Sequence, residues 1–201
     1  MMAKSIKLGL AFSLAAIFST VWSGASTTGQ RQVARQLVGG RTTLKLPLVS
    51  PKIIVKKAQR KLFLYSAGEL VRTYRVGLGL SPVGDKVREG DRRTPEGEFY
   101  IFTKNNKSQF YLSLGISYPN AAHAERGLRE GLINRTQYDS ILRALKAKKA
   151  PPQNTALGGD IYIHGNGAGS DWTWGCVALE NEDIRELFDA ANVGTPIVIE
   201  P

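Results

Sequence analysis

Two short stretches fix what this chain can build around. Ile161-Tyr162-Ile163-His164-Gly165 alternates apolar and aromatic residues and reads as a strand that delivers a histidine to its end. Residues 166–173 follow, rich in Gly, Ser and Asp, and turn rather than pack. The chain returns at Trp174-Gly175-Cys176-Val177, and Cys176 is the only cysteine in the protein. A thiol becomes a useful nucleophile when a base takes its proton or a cation stabilises the thiolate. One strand, one loop and one return therefore put His164 and Cys176 where they could meet.

The charge distribution bounds the partners. The 201 residues carry a formal net charge of +10. The first 60 contain ten Lys or Arg and no acid, whereas the remaining 141 contain 17 of each sign. The basic excess belongs to the N-terminal part. It reads first as a solvated, partly targeting segment and second as attraction to an anionic envelope surface. No basic–aromatic motif accompanies the charge, so nucleic acid is not an expected partner. Lys4 and Lys7, the apolar run from Leu8 to Trp22 and the small residues Ser23-Gly24-Ala25 predict a secretory signal peptide over residues 1–25. The run is shorter than the roughly 20 residues needed to span a bilayer. Export to the periplasm or cell envelope follows, and a lone cysteine there is either a reactive thiol or a packed small hydrophobe.

Residues 26–50 read as a basic flexible leader, and the body as one domain over 51–201. Lys52–Lys56, Lys61–Tyr65 and Leu70–Leu78 predict a strand meander, with Gly77 and Gly79 marking a bulge or a close backbone approach. Glu98–Phe102 and Phe110–Ile116 predict two further strands. A helical insertion at about 120–150 includes a clear amphipathic helix over Asn134–Lys149 and is expected to lean over the site. Asn181 is expected to cap a helix whose apolar face is Ile184, Leu187, Phe188 and Ala191, with Gly194 at its C-terminal end. Pro196–Ile199 closes the chain as a strand. Many short strands with two or three helices predict a mainly β sandwich or barrel.

At the expected site Cys176 is the candidate nucleophile and His164 the candidate base. Gly175 would let the backbone approach a substrate, and the amides around Cys176, including that of Trp174, could form an oxyanion hole. A carbonyl in the 165–173 loop, Asp171 or Ser170 could orient the imidazole. Trp172, Gly165 and Thr173 are candidate pocket residues, although Trp172 and Trp174 could equally be loop anchors. His123 reads as exposed or structural, Arg92 and Arg93 as solvated loop charges, and Asp160 as structural. Two histidines and one cysteine offer no metal-binding spacing, and neither a metal nor a cofactor is expected. A structural histidine and a packed thiol would leave the same letters.

Three segments, in order, carry a resemblance. Thr94-Pro95-Glu96-Gly97-Glu98-Phe99, Gly159-Asp160-Ile161-Tyr162-Ile163-His164-Gly165, and Gly175-Cys176-Val177-Ala178-Leu179 with Asn181, Asp183 and Leu187 beyond it, are similar to the YkuD-type L,D-transpeptidase catalytic domain. The resemblance implies a β-sandwich-like fold, a Cys176 thiolate activated by His164, and peptidoglycan stem peptides as substrate. It also implies carbapenem-type β-lactams as covalent inhibitors. The acyl group would pass to an amine of another stem peptide, an envelope protein or a free D-amino acid. With water instead, the reaction is that of an L,D-carboxypeptidase or amidase. The chain departs from the family pattern at Trp174, which takes the place of a second histidine, and at Ala178, where many members carry arginine. A non-catalytic protein that binds the envelope through its basic leader is the alternative from another class.

Overall fold

In the computed structural model, residues 42–201 are described. The expected signal peptide and most of the expected leader lie outside them. Eight strands and three helices follow in order: β1 (Lys52–Lys56), β2 (Lys61–Ser66), β3 (Glu69–Arg75), β4 (Gly97–Ser108), β5 (Tyr111–Ile116), α1 (Ala121–Arg129), α2 (Arg135–Lys146), β6 (Tyr162–His164), β7 (Val177–Ala178), α3 (Asn181–Ala190) and β8 (Pro196–Glu200). They form one mostly β sheet in the order β3-β2-β1-β8-β4-β5-β6-β7. β1 runs parallel to β8 and β6 parallel to β7, while the other neighbours are antiparallel.

Period-two alternation builds the core. Ile53 and Val55 of β1 are fully buried and stand in register with Leu64 and Leu62 of β2 and with Ile197 and Ile199 of β8. Phe99 of β4 continues the row beside Ile197. Each such side chain removed from water contributes about 1.5–3 kcal/mol, so a one-residue slip of any strand would cost several of them at once. Ile184 and Leu187 of α3 pack into the same core. Leu44 and Leu48 also rest on it, so the packed body begins before Pro51, inside the segment expected to be a flexible leader.

The sheet curls until its ends meet. The expected third strand, Leu70–Leu78, stops at Arg75, and the chain beyond it leaves β2 for the far edge. There Gly77 bridges Ala178 and Gly79 bridges Thr173. Close approach is what the two glycines permit: a Cβ on Gly77 would lie 2.2 Å from the Ser170 carbonyl oxygen, and one on Gly79 2.2 Å from that of Arg92. A curled sheet closed by these bridges is the form that the expected sandwich or barrel takes.

The insertion forms α1 and α2. Asn120 caps α1 by accepting from the His123 amide, and Asn134 with Gln137 forms a reciprocal capping box on α2. The two helices share a small apolar cluster of their own, Ala124, Ile133, Ile141 and Leu157. His123 is buried, not exposed, and its Nε2 lies 3.0 Å from Asp85 Oδ1; Arg126 donates to Asp85 Oδ2 at 2.8 Å. The insertion therefore docks on the 81–96 loop. None of its residues lines the cleft at Cys176, contrary to the expectation that it leans over the site.

Candidate active site

β6 and β7 place His164 and Cys176 along one cleft. Their parallel register pairs Ile163 with Val177 and His164 with Ala178, with Ile163 and Val177 in the core. One step back along that register, Cys176 falls opposite Tyr162. Alternation then puts Tyr162, His164 and Cys176 on the same, outer face. His164 is the diagonal neighbour of Cys176, and diagonal side chains in a sheet are about 7–8 Å apart at the backbone, within reach of a ring. Both line one cleft of about 490 Å³.

The imidazole is held on every side. His164 is 2% exposed. Phe110 stacks on its ring at 4.5 Å between centroids, and Trp172 meets it edge-on at 5.5 Å. Trp172 is itself anchored by its indole N–H, which donates to the Gly167 carbonyl at 3.0 Å. His164 Nδ1 lies 2.7 Å from the Gly165 carbonyl oxygen. A carbonyl only accepts, so Nδ1 carries the proton in this contact and Nε2 is left with a lone pair. Burial pushes the imidazole below its ordinary value, against the opposing effect of that hydrogen bond.

The thiol is half-buried. Sγ lies 3.5 Å from the Asp160 carbonyl oxygen as donor, and the Tyr162 amide donates to it at 3.4 Å. Burial, with the Asp160 charge adding to it, pushes the thiol up to about 11, although the Tyr162 N–H and Lys86 pull the other way. Both shifts favour neutral forms, so the resting pair is a thiol beside a neutral imidazole. Gly175 sets the backbone before the thiol at φ +129°, where a Cβ would lie 2.8 Å from the Arg93 carbonyl oxygen. Thr173 closes this turn. Its hydroxyl donates to the Cys176 carbonyl at 2.8 Å and accepts from the Gly175 amide at 3.1 Å.

Other expected residues fall elsewhere. The Gly165 carbonyl is the group that orients the imidazole. Asp171 is instead engaged by Arg60, whose Nη2 donates at 2.7 Å, and by the Leu78 amide. Trp172, Thr173 and Gly165 support the His–Cys unit but do not line the cleft, and Trp174 is 67% exposed with the Arg92 guanidinium 5.0 Å from its ring. Asn181 does not cap α3. Its side chain accepts from the Asn166 amide, and Glu180, the N-cap residue, accepts from the Ala168 amide, so both tie the start of α3 to the loop after His164. Gly194 serves the turn into β8, where its amide donates to the Ile101 carbonyl.

Six of the ten cleft-lining residues were not anticipated there. Asn105, Lys107, Ser108, Gln109 and Phe110 come from the β4–β5 hairpin, and Ser113 from β5. The sequence marked Phe110 only as a strand residue. Polar residues in a strand expected to end at Phe102 were the one available sign that this hairpin runs past the core.

The YkuD L,D-transpeptidase catalytic domain matches residues 50–199, and the chain belongs to that family. Among curated proteins it is similar to YafK of Escherichia coli (strain K12), with 25% identity over 173 residues covering 83% of this chain and 53% of YafK. The chain thus spans about half the length of that relative. Among solved structures it is similar to the helical cell shape determining protein Pgp2 from Campylobacter jejuni, with a TM-score of 0.50, 21% identity, and coverage of 75% of this chain and 47% of Pgp2. A second similar structure is the L,D-transpeptidase (residues 123–326) from Xylanimonas cellulosilytica, with a TM-score of 0.46, 16% identity, and coverage of 85% and 69%.

Proposed function

We propose that this protein is an exported cysteine acyltransferase that acts on peptidoglycan stem peptides. The observation that carries the reading is the shared cleft face of Cys176 and His164, with Nδ1 committed to Gly165 and Nε2 left as a base. Nε2 takes the thiol proton as Sγ attacks the carbonyl at the L-centre of the diamino acid in a tetrapeptide stem. The C–N bond to the terminal D-alanine breaks, and the imidazolium gives that proton to the departing amine. A thioester on Cys176 remains. An amine from another stem peptide, an envelope protein or a free D-amino acid then attacks it, losing its proton to Nε2 and returning the thiol. The Gly175 amide is already used by Thr173, so the amides of Trp174 and Cys176 are the candidates for the developing oxyanion.

Family membership supports this chemistry, and the neutral resting pair fits it. A neutral thiol is protected from adventitious reaction until a substrate carbonyl arrives. The basic residues before residue 60 suit an anionic envelope surface.

Two measurements test the reading. Intact mass after incubation with a carbapenem should show one adduct, absent in Cys176→Ala. If it forms equally on that variant, or on neither protein, the nucleophile assignment fails and a non-catalytic envelope protein is favoured. Incubation with disaccharide tetrapeptides should release D-alanine and give a cross-linked dimer. A trimmed monomer without dimer would assign the acceptor to water.

A further inference from the structure

The cleft carries one cationic side chain among its lining residues, Lys107, and it comes from the hairpin that the fold brings over the His–Cys unit. Its backbone is fixed by the hairpin. The register of β4 against β5 shifts between Asn105 and Ser108, and the Lys107 amide donates to the Asn105 side-chain oxygen at 2.8 Å. A bulge of this kind re-aims the side chains of one strand beside a site. No ion pair joins Lys107 to a described residue. Buried or half-buried cations elsewhere in the body are engaged. Lys57 holds Glu96, Lys86 holds Asp91, and Arg60 holds Asp171. Ala178, two residues past the nucleophile, is buried and brings no charge. The other charged residue in the lining, Asp160, offers its main-chain carbonyl to the thiol, and its side-chain charge acts on the thiol and would repel a carboxylate there.

We infer that Lys107 binds the free C-terminal carboxylate of the stem peptide and makes this site select a terminal D-amino acid bearing that carboxylate. The inference rests on the proposed reaction. In that reaction the scissile carbonyl sits at Sγ, and the carboxylate of the departing residue follows one residue further on, a span of about 3.8 Å between α-carbons. A cation on the hairpin that lines the same cleft as the nucleophile, carried on a flexible four-carbon stem, suits that position. The Asp160 charge acting at the thiol and Lys107 on the hairpin then orient the substrate. The carboxylate goes toward the hairpin, away from the sulfur.

The test compares a disaccharide tetrapeptide with a free C-terminal carboxylate and the same tetrapeptide as its C-terminal amide. Release of D-alanine or D-alaninamide is followed with the full chain. The expected result is a preference of about tenfold in kcat/KM for the acid, the size of one charge-assisted hydrogen bond. In Lys107→Ala this preference should collapse toward unity, through a raised KM for the acid and little change for the amide. Lys107→Arg should restore it. Carbapenem-independent alkylation of Cys176 by iodoacetamide should be the same in all three proteins, because Lys107 has no part in setting the thiol. Equal turnover of acid and amide by the unaltered protein, or an unchanged preference in Lys107→Ala, overturns the inference and leaves the reaction standing. No turnover of either peptide overturns both.

Discussion

His164 Nδ1 is committed to a carbonyl, and that one hydrogen bond decides which nitrogen can act as base. Two pH predictions follow at this scale. Burial holds the imidazole below its ordinary value of 6.5. The imidazole therefore remains neutral as pH falls through 6.5, and on the proposed mechanism kcat/KM for D-alanine release should hold there and decline only at lower pH. The thiol, pushed up to about 11, is neutral across the physiological range. Alkylation of Cys176 in the free protein should then climb continuously over the neutral and mildly alkaline range. A plateau of the alkylation rate below pH 7 would instead mean a preformed thiolate–imidazolium pair, and would sink this account of the resting site. His164→Ala should lower kcat by about 10²–10⁴-fold, the range expected for a lost general base. The candidate nucleophile and base could be singled out because a lone cysteine and a histidine at a strand end are rare letters, and the fold puts both on one cleft. Phe110 and Lys107 were not legible as cleft residues: polar residues after Phe102 hint that the strand runs on past its apolar part, but nothing local says that its polar end lies over a site built some fifty residues later.

The elements divide along the same line. β1, β2 and β8 were legible because their alternation is period two and the core needs that face. β6 and β7 hold three and two residues and exist as strands only because β5 and Gly77 supply partners, so their lengths are set by tertiary pairing. Asn181 shows the same competition. A good capping residue was taken by a loop amide that needed an acceptor. The turn before Cys176 depends on Gly175, whose φ of +129° and close Arg93 carbonyl leave no room for a side chain. Gly175→Ala should therefore cost about 1–3 kcal/mol of stability, read as a lower Tm. It should also slow carbapenem acylation at least as much as its stability loss alone would suggest, because the strain sits one residue from Sγ. An acylation rate equal to that of the unaltered protein would show that the turn does not set the nucleophile.

Across the described body, the insertion's small apolar cluster joins the main core through polar and ring contacts: His123 of α1 packs against Phe99 and Tyr118, and Asp85 carries the polar part. It accepts from the Glu96 amide at 2.8 Å and from Arg126, and it faces His123. Burial raises the carboxyl, but His123, the Glu96 amide and Arg126 outweigh it and hold Asp85 well below the ordinary 3.8. The unfolded chain then binds a proton near pH 3.8 that the folded chain refuses. This contribution to stability is complete above that pH and is lost as pH falls below it. Asp85→Asn should remove that acid-limb slope and cost about 2 kcal/mol at neutral pH, because Arg126 and His123 lose a charged acceptor. The loss should be local. Amide exchange should rise over residues 121–146, while β1, β2 and β8 keep their protection, since α1 and α2 have a small cluster of their own and meet the sheet's core through His123, which packs against Phe99 and Tyr118. Carbapenem acylation of Cys176 should be unchanged, because no residue of the insertion lines the cleft. If exchange instead rises together in the helices and the sheet, the two clusters unfold as one unit. The insertion would then be part of the frame that holds the site, and not an appendage docked beside it.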